Sequence, residues 1–161
     1  HLYRVSAIAE RPGPVRCRGG LLVVPNCTLD DHPLFDIIVI PGGYGTRAER
    51  SNPVVLDWIR RQHAAGVLTT SVCTGAFLLA ANGLLDGQRA TTHWSTIDWL
   101  RAEHPAIDVR DDERIVDLGQ IVTSAGVSAG IDMALHIVGR LHGAETARRV
   151  ARDMEYDGVI G

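Results

Sequence analysis

The amino-acid sequence predicts an α/β fold in which one doubly wound, mostly parallel sheet carries helices on both faces. The alternation of segment types and the size of the chain lead to this prediction. Short β-branched, apolar runs alternate with segments of helical periodicity, and repeated β-α-β units of this kind form parallel sheets. The chain has 161 residues and is 45% hydrophobic, which suits one domain with a sizeable core. Because no repeat, linker or low-complexity stretch divides it, we expect a single domain over residues 1–161.

The first forty residues predict two strands and a hairpin. Residues 2–9 alternate as a strand does, and the alternation stops at an Arg-Pro-Gly-Pro stretch. Gly19-Gly20 lies between two extended arms, which predicts a small hairpin or an irregular excursion. Residues 36–40 form a continuous apolar run closed by Pro41-Gly42-Gly43. Such a run is typical of a strand that is covered on both faces.

The central segment predicts a helix, a strand and a second helix. Ser51 or Asn52 can cap a helix that carries Pro53 in its first turn and stops at Gly66. A β-branched strand then reaches Cys73, and an Ala/Leu-rich helical pattern begins at once.

The remaining residues continue the alternation. Residues 89–94 predict a strand, and residues 95–103 predict a short helix. Residues 109–123 are typical of two strands joined by a turn. Residues 128–156 have helical periodicity with an interruption at His142-Gly143, where glycine favours a helix end.

Composition narrows the classes of partner and the compartment. The formal net charge is −3, so the chain lacks the positive field that would attract nucleic acids or anionic membranes. No run is long enough to span a bilayer, and the first residues have no signal-peptide pattern. Three scattered cysteines, Cys17, Cys27 and Cys73, form neither a disulfide framework nor a zinc-ligand pattern. We therefore expect a cytoplasmic protein without a metal site that binds neither nucleic acid nor a membrane.

The strongest functional pattern is the strand–Cys73–helix run. A β-branched stretch reaches the cysteine, Gly75 follows two residues later, and a helix starts there. This is the layout of a nucleophile elbow, a sharp turn that lifts a side chain above the edge of the sheet. The helix N-terminus favours the thiolate, which is the reactive form of cysteine. The alternative is a small buried cysteine that packs as a hydrophobe.

Two further strand ends add polar groups at the same edge of the sheet, where α/β proteins bind ligands. Gly42 and Gly43 let backbone N–H groups approach a ligand or a developing oxyanion, although a Gly-Gly pair is often only a turn. His93 ends the strand at residues 89–94, and its alternative role is that of a hydrogen-bonded core residue. The glycine loop matches no phosphate-binding motif. Cys73 beside such N–H groups suits covalent chemistry at a carbonyl-like carbon.

Four motifs of this chain resemble the ThiJ/PfpI superfamily in order and spacing. They are Pro41-Gly42-Gly43, Ser71-Val72-Cys73-Thr74-Gly75, Ala90-Thr91-Thr92-His93-Trp94 and the run from Thr123 to Asp132. The chain is most similar to the isonitrile (isocyanide) hydratase branch and to the sensor domains of AraC-type regulators. The resemblance implies a flavodoxin-like, class I glutamine amidotransferase-like fold and a homodimer. It also implies that Cys73 is the nucleophile and that the backbone of Gly43 and Thr74 stabilises an oxyanion.

The chain departs from the superfamily at two places. Peptidase-like members have a histidine directly after the cysteine, whereas this chain has Thr74, as in the hydratase branch. Without a general base beside the thiol, peptidase activity is not expected. Relatives also begin with a strand and a helix that supply an acidic partner for the cysteine, and we expect this unit to be absent from the chain. Glu10 could take that place, although a glutamate at a strand end is usually solvated.

The resemblance leaves three functional hypotheses. The first is a cofactor-free, cysteine-dependent hydratase that acts on isonitriles, with Gly42, His93 and Tyr156 in the substrate pocket. Tyr156 is included because Glu155-Tyr156 resembles a pair of the hydratase branch. The second is the ligand-sensing domain of an AraC-type regulator. Such regulators carry two DNA-binding helix-turn-helix units after this domain, and this chain ends at Gly161. The third is glyoxalase-like or stress-protective chemistry on 2-oxoaldehydes.

Overall fold

A four-stranded sheet lies at the centre of the computed structural model, which describes residues 2–158. His1 and the C-terminal residues 159–161, including the chain end at Gly161, lie outside the described residues. The strands are β1 (Ile8–Ala9), β2 (Val15–Arg16), β3 (Leu22–Val23), β4 (Cys27–Thr28), β5 (Ile37–Ile40), β6 (Leu68–Val72), β7 (Arg89–Ala90), β8 (Asp108–Val109), β9 (Ile115–Asp117) and β10 (Ile121–Ser124). The helices are α1 (Thr46–Glu49), α2 (Pro53–Ala64), α3 (Ala76–Ala81), α4 (Ile97–Glu103), α5 (Ala129–His142) and α6 (Ala144–Asp153).

The central sheet has the order β5-β6-β10-β9 and is mostly parallel, as predicted. Strands β5, β6 and β10 run parallel, and β9 pairs antiparallel with β10. The register pairs Ile40 with Ser71, and Ser71 with Thr123. The carboxyl ends of β5, β6 and β10 therefore lie side by side. Three separate two-stranded ladders, β1–β4, β2–β3 and β7–β8, complete the described strands.

Helices cover both faces of this sheet, which confirms the predicted layering. Ile121 of β10 joins an apolar cluster with residues of α2, α3 and α4. Its neighbour Val122 packs in a second cluster with Met133 and Ile137 of α5. Because successive side chains of a strand point to opposite faces, the two clusters lie on opposite sides of the sheet. Within residues 2–158, no helix combines the length and apolar composition needed to cross a membrane.

Local signals in the sequence position the main helices as predicted. The Asn52 side chain accepts a hydrogen bond of 3.1 Å from the N–H of Val54, and Pro53 occupies the first turn of α2. Helices α5 and α6 are separated at Gly143, where φ is +88°. The predicted hairpin is also present, because β2 and β3 pair antiparallel around the Gly19-Gly20 turn.

Three sequence predictions about strands are wrong. The strand expected over residues 2–9 spans only Ile8–Ala9, because its partner β4 offers only two paired residues. The strand expected over residues 89–94 ends at Ala90, since the next N–H, that of Thr91, donates to the hydroxyl of Thr123. Strand β5 is not covered on both faces: Val39 is 57% exposed, and β5 forms one edge of the central sheet.

Candidate active site

Cys73 occupies the sharp turn between β6 and α3. Its φ is +58°, a left-handed conformation that non-glycine residues rarely adopt. A short 3₁₀ turn over Cys73–Gly75 leads directly into α3. The thiol is free, and the residue is half-buried. The structure therefore has the strand–turn–helix layout expected of a nucleophile elbow, whereas the nucleophilic role itself stays a prediction.

Hydrogen bonds from two other segments hold the main chain of Cys73. Its N–H donates to the carbonyl oxygen of Ala125, just after β10, at 3.2 Å. Its carbonyl oxygen accepts a bond of 2.8 Å from the hydroxyl of Thr92, just after β7. A left-handed residue of this kind costs about 1–3 kcal/mol and persists only when its surroundings enforce it. These two anchors supply that enforcement.

Two glycines make the loops after β5 and β6 fit together. A Cβ atom on Gly42 would lie 2.5 Å from the Cβ of Cys73 and 2.9 Å from the backbone nitrogen of Thr74. A Cβ atom on Gly75 would lie 2.3 Å from the carbonyl oxygen of Ile40. Real Cβ atoms do not approach neighbours this closely. Gly42 is therefore in contact with the elbow, next to Cys73, and its place in a substrate pocket stays a prediction.

Gly43 and Thr74, the two predicted oxyanion residues, are bonded to each other. The N–H of Gly43 donates to the hydroxyl of Thr74 at 2.9 Å. Thr46 joins them: its hydroxyl lies 2.7 Å from the carbonyl oxygen of Gly43 and 3.0 Å from the Thr74 hydroxyl. Sequence reasoning missed Thr46, because the four-residue helix α1 that carries it is too short to show a periodic pattern.

His93 caps the turn that follows β7. Its Nδ1 accepts a bond of 3.2 Å from the N–H of Ser95 and lies 2.8 Å from the Ser95 hydroxyl. A Cβ atom on Gly126 would lie 2.0 Å from the ring carbon Cδ2 of His93, so the ring is packed on this glycine. Gly126 follows Ala125, which binds the Cys73 N–H. His93 thus lies on the loop that supports the elbow, and its bonds are those of a turn cap.

Tyr156 and Glu10 bond to partners other than Cys73. The Tyr156 hydroxyl donates to the buried carboxylate of Asp132 at 2.5 Å, and this bond raises the pKa of Tyr156 above its ordinary value. Arg114 donates to the same carboxylate through Nε at 2.8 Å. Glu10 accepts a bond of 2.6 Å from the side chain of Asn52 at the start of α2. The pocket role of Tyr156 therefore stays a prediction, and Glu10 bonds to the capping residue of α2 rather than to Cys73.

A cavity of about 260 Å³ lies beside the elbow. Its wall includes Thr92 and Ala125, the two residues that bond the main chain of Cys73. Trp94, which is 81% exposed, and Arg114 also line the cavity. Cys73 is not itself a lining residue. The cavity thus adjoins the elbow through the residues after β7 and β10 that bond the main chain of Cys73.

Comparison with known proteins identifies relatives along nearly the whole chain. It is 43% identical over 143 residues to the isonitrile hydratase of Pseudomonas putida, a match that covers 89% of this chain and 61% of that protein. It is 32% identical over 150 residues to the HTH-type transcriptional regulator CdhR of Pseudomonas aeruginosa, covering 93% of this chain and 44% of the regulator. The chain therefore spans less than two thirds of the length of either relative.

Structural similarity leads to the same group of proteins. A crystal structure of a ThiJ/PfpI family protein from Pseudomonas syringae superposes with a TM-score of 0.87 at 35% sequence identity. That superposition covers 97% of this chain and 64% of the other. The sequence model of the DJ-1/PfpI family matches residues 2–140. These matches confirm the resemblance seen in the four motifs and the flavodoxin-like α/β fold. The chain belongs to the DJ-1/PfpI family.

Proposed function

We propose that this protein is a cysteine-dependent hydratase that adds water to a small electrophile of the isonitrile class. The observation that carries the proposal is the left-handed Cys73, with φ +58°, at a turn from strand to helix. A cysteine whose role was only to pack as a hydrophobe would not need this costly conformation. The 43% identity to isonitrile hydratase supports the choice of substrate class.

In the proposed reaction, the Cys73 thiolate attacks the terminal carbon of the isonitrile. A carbon–sulfur bond forms, and the carbon takes a proton from solvent, which yields a thioimidate. Water then adds to the same carbon, the carbon–sulfur bond breaks, and an N-substituted formamide leaves with the thiolate restored. The net change is the addition of one water molecule.

The groups around Cys73 would stabilise the charge that develops in these steps. The N–H of Thr74 belongs to the first turn of the helix, where backbone donors have no intrahelical acceptor. The N–H of Gly43 donates to the Thr74 hydroxyl, so it serves as an oxyanion donor only after it turns towards the substrate. Thr46 holds the Thr74 hydroxyl in place from the other side.

Replacing the thiol tests the proposal directly. Cys73→Ala should lower the rate of formamide production from an isonitrile by at least about 10³-fold, because the covalent step is lost. Cys27→Ala is the matched control: Cys27 is another half-buried cysteine, on β4, and its loss should leave the rate unchanged. An equal rate for the Cys73→Ala variant would contradict the proposal.

Ligand sensing is the second candidate function, and one observation favours it. The N–H of Gly43 is already satisfied by Thr74, so the site as described is closed to an oxyanion at that donor. The match to a transcriptional regulator agrees with a binding role. A sensor would show a ligand-dependent rise in melting temperature without product formation. Parallel assays with an isonitrile and with methylglyoxal separate hydratase, glyoxalase-like and sensor activity.

We also propose that the protein acts on its small-molecule ligand as a homodimer, as the family resemblance implies, and that it does so in the cytoplasm, as the scattered cysteines suggest. Sedimentation velocity of the purified protein over a range of concentrations would measure the oligomeric state. A monomer at all concentrations would contradict this part of the proposal.

A further inference from the structure

Two arginines from separate elements lie on one aromatic ring next to the glycine loop. The guanidinium carbon of Arg18 lies 3.9 Å from the centroid of the Tyr44 ring, and that of Arg47 lies 4.6 Å from it. Arg18 comes from the turn between β2 and β3, whereas Arg47 belongs to α1. All three side chains are exposed. Cation–π attraction holds both positive charges at the same place.

Neither arginine is neutralised by the protein as described. In residues 2–158, no carboxylate oxygen lies within 4.0 Å of the guanidinium nitrogens of Arg18 or Arg47. Arg50 offers a contrast, because it lies over Trp99 and also pairs with Glu103. Two like charges on one ring repel each other, and stacked guanidinium groups keep N–H donors at their edges. A bound anion would remove the repulsion and accept from these donors.

The ring that carries the two arginines belongs to the residue directly after the glycine loop that contacts Cys73. Tyr44 directly follows Gly43, whose N–H bonds to Thr74, the residue after Cys73. Gly42 is packed on the Cβ of Cys73. Because consecutive Cα atoms are about 3.8 Å apart, the Cα atom of Tyr44 lies at about that distance from the Cα atom of Gly43. The two arginines are therefore held on the residue next to the loop that packs against Cys73.

We propose that Arg18, Arg47 and Tyr44 form an anion subsite at the rim of the Cys73 site, which selects electrophiles that carry a carboxylate. A carboxylate accepts two parallel N–H bonds from a guanidinium group, and this geometry favours it over a neutral polar group. The identity of the electrophile, an isonitrile that carries a carboxylate, rests on the proposed function. The charge selection itself applies to any reagent that attacks the thiol.

Alkylation of Cys73 by two similar reagents tests the charge selection. In a Cys17→Ser, Cys27→Ser background, the thiolate of Cys73 displaces iodide from either iodoacetate, which is anionic, or iodoacetamide, which is neutral. The rate constant for iodoacetate divided by that for iodoacetamide should fall about three- to tenfold in an Arg18→Gln, Arg47→Gln double variant at low ionic strength. High salt should reduce this difference.

Arg16→Gln is the matched control, since Arg16 lies on the same hairpin but has no contact with Tyr44 among the described cation–π pairs. It removes the same type of charge and should leave the ratio unchanged. An equal fall in the Arg16→Gln variant, or no fall in the double variant, would overturn the proposal. An unchanged rate with iodoacetamide shows that the elbow is intact in each variant.

Hydration of isocyanoacetate and of its methyl ester tests the substrate class. The double variant should raise KM for the carboxylate about three- to tenfold relative to the ester. Equal effects on both compounds would overturn the carboxylate assignment. Hydration of neither compound would contradict the proposed function, whereas the alkylation ratio would still decide whether the anion subsite exists.

Discussion

At the scale of single residues, Gly42 determines where the thiol of Cys73 can lie. The two residues approach so closely that a Cβ atom on Gly42 would be 2.5 Å from the Cβ of Cys73. The backbone of Cys73 cannot retreat freely, because Ala125 and Thr92 hold both of its polar groups. The position of the thiol is therefore a property of the loop after β5 as well as of the elbow itself.

We predict that Gly42→Ala destabilises the protein and displaces the thiol. Overpacking of this kind costs about 1–3 kcal/mol, so the midpoint of denaturant unfolding should fall. The rate of Cys73 alkylation by iodoacetamide should change in the same variant. Gly45→Ala is the control: φ at Gly45 is −58°, and a Cβ atom there meets open space. Its stability should be unchanged or rise by about 0.4–1 kcal/mol.

The sequence predicts some residues of the site better than others. Cys73 and Gly75 are visible because strand, cysteine, glycine and helix follow one another directly along the chain. The contact between Gly43 and Thr74 follows from the parallel sheet, which brings adjacent strand ends together. Thr46 and Arg18 are not predictable in this way. Thr46 reaches Thr74 through a one-turn helix, and Arg18 reaches the Tyr44 ring through a hairpin. The placement of both elements depends on tertiary packing.

At the scale of elements, Asp117 ties helix α5 to strand β9. Partial burial acts to raise the pKa of Asp117, yet hydrogen bonds from His136, from the N–H of Gly119 and from Arg140 together hold the pKa below its ordinary value. Arg140 approaches both carboxylate oxygens at 2.9 Å. The carboxylate is therefore stabilised in the folded state, and its protonation should weaken the contact between α5 and the sheet.

This lowered pKa predicts a loss of stability in acid. An unfolded aspartate titrates at about pH 3.9, so the stabilising contribution of Asp117 is complete above that pH and is lost as the pH falls through the lower pKa of the folded state. We expect Asp117→Asn to be about 1–2 kcal/mol less stable at pH 7, with the difference shrinking towards pH 2. Denaturant unfolding at several pH values measures this. A difference that stays constant with pH would contradict the assignment.

The elements that the sequence predicts well are those with local signals. Helix α2 has its asparagine cap and first-turn proline, and the break at Gly143 coincides with a positive φ. The two-residue strands β1 and β7 are predicted too long. Their lengths depend on which backbone groups find a partner elsewhere, as when Thr91 bonds the hydroxyl of Thr123. Such competition is invisible in the alternation of side chains.

At the scale of the whole molecule, Asp132 joins parts of the chain that are far apart. The carboxylate lies in the first turn of α5 and is 5% exposed. It accepts bonds from Arg114, which precedes β9, and from Tyr156, which follows α6. One buried group therefore fixes the residues after the last helix against the edge of the sheet.

We predict that Asp132→Asn lowers the free energy of unfolding by about 1–3 kcal/mol, because the charge-assisted bonds to a buried carboxylate are lost. Asp98→Asn is the control. The Asp98 side chain is fully exposed, and its replacement should leave the unfolding midpoint unchanged. Thermal unfolding followed by circular dichroism distinguishes the two variants. Equal midpoints for Asp132→Asn and the parent protein would show that the network adds nothing to stability.

The anchoring of Cys73 also has a consequence for the order of events during folding. The residues that bond its backbone come from distant points of the chain, with Thr92 lying 19 positions away and Ala125 still further. Contacts of this kind form late, because long loops must close first. The left-handed conformation of Cys73 would then exist only in the completed fold. In a nascent or misfolded copy, the backbone of Cys73 would lack both of these hydrogen bonds.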